Sequence, residues 1–216
     1  MVTTKKEKTI DYIMKKASAL NWQLRYATDL DRDVMAHLFS ASSIFISYMN
    51  EQAAIFIDKI NSDEYLTEDE KQLQIEFISD ELYSAHKAKM LSTELAIIGL
   101  YKTLEIQIKT AASISKLFSK SQIEELSNHL SLIEIFNEKD INIKSIDFYH
   151  KFNELRLINN CIKHEGKVNT KLEAINPSKW IKGSQIIIDK DYFISLVDNN
   201  LIFLKNLGSE LQCKIK

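Results

Sequence analysis

Arg156, Asn160 and His164 stand four residues apart in the segment Glu154-Leu-Arg-Leu-Ile-Asn-Asn-Cys-Ile-Lys-His-Glu-Gly166. On a helix each step of four residues turns by about 40°, so the three line one ridge, with Asn159 and Lys163 at its flanks. Lys167 follows just beyond. A guanidinium forks onto phosphate oxygens, an amide donates and accepts, and an imidazole is the side chain whose charge changes nearest neutrality. Together they can hold a phosphodiester and move a proton. Tyr149, Phe152, Leu155, Ile158 and Ile162 recur at three- and four-residue spacing and mark the buried side of the same helix.

Leu155 to His164 resembles the signature helix of HEPN domains, small all-α bundles of prokaryotic toxins and defence systems and of some eukaryotic proteins. His164 takes the place of that family's His, and Asn160 that of the polar residue that follows its Arg. Arg156 stands one turn ahead of the position the family's Arg takes in its commonest spacing, where this chain has Asn159. The resemblance covers about ten residues in motif and the remainder in architecture alone.

What it implies is a HEPN-like up-and-down helical bundle that pairs as a homodimer. It also implies a metal-independent endoribonuclease in a toxin-antitoxin or anti-phage setting, needing no cofactor. In that chemistry His164 takes the proton from a ribose 2′-hydroxyl, and Arg156, with Lys163 near it, stabilises charge on the phosphate. Asn160 holds the phosphate or orients the imidazole, while Asn159, Lys163 and Lys167 contact RNA. Two other classes fit the same residues: a non-catalytic HEPN-like module binding RNA, a nucleotide or a partner protein such as an antitoxin, and a purely structural helical adaptor.

Other residue types add less. His37, His86, His129 and His150 each lack a second ligand of suitable type at helical spacing, which argues against a metal centre. Glu105 falls on an apolar helix, where an acid needs a partner; Arg156, His164, Lys102 and Lys109 are candidates. Trp22 and Trp180 are expected to cover the core ends, with stacking on a base the alternative for Trp180. Cys161 reads as a small apolar filler.

The elements that must position the ridge follow from periodicity and capping. Helices are expected over 6–20, from Asp31 to Ile60, from Glu68 to about Phe118, from Ser119 to near Glu138, from Ser145 to Lys163, and from Asp191 to Lys214. Thr67 and Glu70 form a capping box at the third start, and Gly166 sits where a helix end takes a left-handed residue. The third element is interruptible near Ser92 or Gly99. It is apolar on most sides from Leu95 to Ile108, which predicts a buried central helix. Gln185-Ile-Ile-Ile-Asp189 reads as a short extended segment.

Four Gly and one Pro in 216 residues leave few places for helices to break, and the length suits one domain spanning residues 1–216. A formal net charge of −2 supplies no global field toward nucleic acid or membrane, so any anion site is local. The charge is uneven: Asp63 to Glu81 holds eight acids against Lys71, whereas 144–182 is basic. Two Cys, no apolar leader and no membrane-length apolar run make a cytoplasmic protein the expectation.

Overall fold

Asp31 and Thr67 start the two longest helices. The Asp31 carboxylate accepts from Val34 N at 3.0 Å and caps α1, Arg32–Ser62. Thr67 and Glu70 close the expected capping box ahead of α2, Glu68–Ser115. The computed structural model describes residues 18–215; residues 18–27 are helical, and the rest of the helix expected over 6–20 lies outside the described residues.

α2 runs through Ser92 and Gly99 without a break. A helix-interior Gly costs about 1 kcal/mol relative to Ala, too little to interrupt a helix packed along its length. Ser119 caps α3, Lys120–Glu125, as expected, but the single helix predicted to follow is two. Asn128 accepts from Leu130 N and Ser131 N and thereby starts a second helix, α4, His129–Asn137.

α5, Tyr149–His164, begins later than the sequence suggests. Ser145 belongs to a 3-10 turn, Ile143–Ser145, and Phe148 adopts a left-handed φ of 65° that breaks the path into the helix. At its other end the expectation holds: Gly166 is left-handed and its N–H donates to Cys161 O at 2.9 Å. A single turn, α6, Thr170–Glu173, capped by Asn169, follows unannounced by any periodicity.

The extended segment then folds back on the end of α5. Lys167 and Gln185 form an isolated antiparallel bridge, Val168 N donates to Ser184 O at 2.9 Å, and Ile186 N donates to Gly166 O at 3.1 Å. No strand forms among the described residues. Asp189 caps the last helix, α7, Lys190–Lys214.

The fold is an all-α bundle. α2 packs against α1, α5 and α7, and α7 also packs against α1 and α5. Stacked rings tie these helices: Phe39 with Phe193 at 4.4 Å between centroids, and Phe152 with Phe203 at 4.9 Å. Around them one apolar cluster gathers Leu100 and Leu104 of α2, Leu155 and Ile158 of α5, and Leu204 of α7. α2 is not buried all round: Leu95 and Ile106 are more than half exposed, because the helices packed on it leave one side uncovered. Among the described residues no helix is long and apolar enough to cross a membrane.

Candidate functional site

α5 carries its polar groups in two bands. One faces inward. Glu154 is 1 % exposed, and its Oε1 accepts from Trp180 Nε1–H at 2.9 Å and from Tyr192 O–H at 2.6 Å. Its Oε2 meets Lys151 Nζ at 2.9 Å. Burial pushes this carboxyl up, but the hydrogen bonds from Tyr192, Trp180 and Lys151 outweigh it and hold the group below the usual carboxylate range. Tyr192, half-buried and donating to that carboxylate, is raised by its burial and then by that bond. Lys179 lies 3.1 Å above the Tyr192 ring. Trp180 therefore has the core role, clamping the 176–192 segment to α5.

Trp22 does not cover a core end. It is 67 % exposed and stacks on Tyr26, since the helix 18–27 turns Leu24 and Ala27 inward instead.

The outward band holds the ridge. Arg156 is half-buried, and its Nε–H and Nη2–H both donate to Asn153 Oδ1, at 3.1 and 2.8 Å. Among the described residues no acid forms an ion pair with it; Glu105 is taken by Lys102 at 3.3 Å, the local pairing among those open to it. Burial lowers the Arg156 pKa, opposed by Tyr101 and Tyr149. A guanidinium held by a neutral amide, beside aromatic rings, retains its charge for an external anion.

His129, read from sequence as isolated, belongs to this neighbourhood. Its Nε2 lies 2.9 Å from Tyr149 Oη, and burial, followed by the charges of Arg156 and Lys144, pushes it down to about 4. It is neutral at pH 7. Tyr101 is pushed up to about 12 by burial and by Glu105. The pair His129 and Tyr149 is separated by twenty residues, so spacing could not reveal it.

Asn160 is half-buried, and Lys163, His164 and Lys167 are exposed at the C-terminal end of the helix. His164 stands eight positions after Arg156, a rise of about 12 Å and a turn of about 80°. The ridge is therefore one face with two separate ends. Asn159 does not flank it. One turn on from Leu155, it points into the core, 1 % exposed, and neither amide atom has a protein partner. Cys161, 3 % exposed, fills the core as expected.

Among the described residues no group of three or more His, Cys, Asp or Glu side chains is disposed to hold a metal ion. Compared with family models, curated proteins and solved structures, the chain finds no match in any of the three.

Proposed function

We propose that the outer face of α5 binds the phosphodiester backbone of RNA and that the protein is a metal-independent endoribonuclease of the HEPN type, serving in a prokaryotic toxin-antitoxin or anti-phage system. The observation that carries this reading is Arg156: half-buried, oriented by Asn153, and free of any acid partner among the described residues. Such a cation is costly to keep unless an anion arrives.

Arg156 takes two non-bridging oxygens of the phosphate. The His164 imidazole takes the 2′-hydroxyl proton, the 2′-oxygen attacks phosphorus, and the 5′-oxygen leaves with a proton from the imidazolium or water. The products are a 2′,3′-cyclic phosphate and a free 5′-hydroxyl. Asn160 steadies the phosphate between them, and Lys163 and Lys167 add screened attraction along the strand.

Arg156 is turned back onto Asn153, away from His164, so the ~12 Å rise between them keeps the two groups from meeting at one phosphorus within one chain. Cleavage then needs the two ends supplied by different copies of a homodimer. The same rise favours a second reading, in which α5 binds RNA or a nucleotide and does not cut.

Incubation with RNA in EDTA separates these. Cleavage is expected, is lost in Arg156→Ala and in His164→Ala, and returns on mixing the two variants, each of which keeps the other's missing group. No cleavage by folded protein at micromolar concentration removes the nuclease reading. Salt-sensitive RNA binding, weakened by Lys163→Ala, would then support the second.

A further inference from the structure

The hairpin of α1 and α2 extends past the bundle and, among the described residues, leaves one of its faces bare. At 100° per residue, Leu38, Ile44, Phe45, Tyr48, Ile55 and Phe56 fall within an arc of about 120° on α1. All are more than two-fifths exposed, Ile44 at 68 %. Between Leu38 and Asp58 this helix carries a single charged residue, Glu51. On α2, Leu73, Phe77, Leu91 and Leu95 fall within about 40° and are all more than half exposed.

The two stripes share one side of the hairpin. Near its tip, Phe56 and Phe77 line the same groove; toward its base, Leu38 Cδ2 lies 3.8 Å from where a side chain at Gly99 would begin. With about half of each large side chain in water, this face exposes on the order of 1,000 Å² of apolar surface, beyond the ~300–600 Å² of a typical monomer's largest patch. It matches the ~800 Å² each partner contributes to a stable interface.

From this we propose that the face is a self-association surface, on which a second copy of the chain packs its own hairpin antiparallel to form a four-helix bundle. The α2 stripe reads the same from either end about Ser84. Phe77 and Leu91 stand seven residues to either side, and Leu73 and Leu95 eleven. A two-fold axis at Ser84 sets each against its counterpart in the partner, with small Ser84 and Ala88 permitting close approach at the crossing. A parallel pairing would stack the eight acids of Asp63 to Glu81 on their own copies, which the antiparallel arrangement avoids. Nothing in this argument uses the ribonuclease reading; because Tyr101, which stacks on Phe152 of α5, stands seventeen residues past Ser84, such a pair holds its two α5 helices about 50 Å apart, and a composite site would need a second, separate contact between copies.

The experiment uses the full chain with Cys213→Ser, since Cys213 is the exposed free thiol. Light scattering on a sizing column is expected to give twice the 25.0 kDa chain mass. Phe77→Glu with Leu91→Glu is expected to give the monomer with unchanged helicity, as both residues are surface groups. Ser84→Cys is expected to link to itself under mild oxidation. A monomeric wild type overturns the proposal. So does a dimer that survives Phe77→Glu/Leu91→Glu and leaves Ser84→Cys unlinked, because the pairing would then run through another face, such as α5.

Discussion

Replacing Glu154 by Ala tests whether the buried carboxylate is what fixes α5 to the 176–192 segment. The change removes the acceptor of Trp180 Nε1–H and Tyr192 O–H and the counter-charge of Lys151. Each buried donor left without a partner costs about 1–3 kcal/mol, whereas Lys151, still reached by water, recovers most of its solvation. The expected loss is about 3–5 kcal/mol, the range for breaking a buried charged pair. In urea, with a slope of about 2 kcal/mol/M, the midpoint falls by about 2 M. Trp180 is nearly fully buried while Trp22 is open to water, so intrinsic fluorescence at the unfolding midpoint follows the clamp itself.

Glu154→Gln separates charge from hydrogen bonding. It keeps a carbonyl acceptor for Trp180 and Tyr192 and loses the attraction to Lys151, so the expected loss is about 1–3 kcal/mol at pH 7. The folded carboxyl is held below its unfolded value. Its contribution is therefore complete above about pH 4.5 and disappears as pH falls through the folded value, closing the gap between wild type and Gln in acid. A Glu154→Ala protein within 1 kcal/mol of wild type at pH 7 would refute the clamp.

His129 gives the opposite pH region. Folded at about 4 against 6.5 unfolded, it draws stability away as pH falls through that window, because the unfolded chain binds the proton first. With solvent screening allowed for, the loss between pH 7 and pH 5 is about 1 kcal/mol in urea titrations, and it is expected to vanish in His129→Gln. An unchanged slope in that variant would break the link between His129, Tyr149 and Arg156. Asn159→Leu should raise stability by about 1–2 kcal/mol and, on the ribonuclease reading, leave RNA cleavage at the wild-type rate, since it replaces a buried amide with no protein partner. A loss of stability, or of cleavage, would show that the amide has a partner in solution after all.

The parts of the fold that sequence reveals are those set by neighbours in the chain. Asp31, the Thr67 and Glu70 box, Ser119 and Gly166 each act on backbone groups within five residues, and each stands where its residue type predicts. The misses are of a different kind. Phe148 takes a left-handed φ that no aromatic side chain advertises, and it moves the start of α5 from Ser145 to Tyr149. Asn128 was a readable cap, masked by the apolar periodicity running from Ile123 to Phe136 on both sides of it.

For the site, long-range pairing is what escapes. Glu154 finds Trp180 and Tyr192 at separations of 26 and 38 residues, and so no spacing within α5 marks it as the anchor beneath the ridge. Asn159 looked like a flank because adjacent residues are 100° apart on a helix, a coarse step when the neighbouring Asn160 is half in water. One consequence concerns Arg156. It lies between the Glu154 clamp on one side and the ring of His129, Tyr149 and Tyr101 on the other, on a turn of α5 packed from below. His164 sits two turns on, past the last buried side chain of the helix, Cys161, and beside the Gly166 corner that the 183–186 segment pins. The guanidinium is thus pre-set, and the imidazole stands exposed on the last turn of the helix. An anion should gain most of its affinity at Arg156, whereas the identity of the group at 164 should govern any proton transfer and little of the binding.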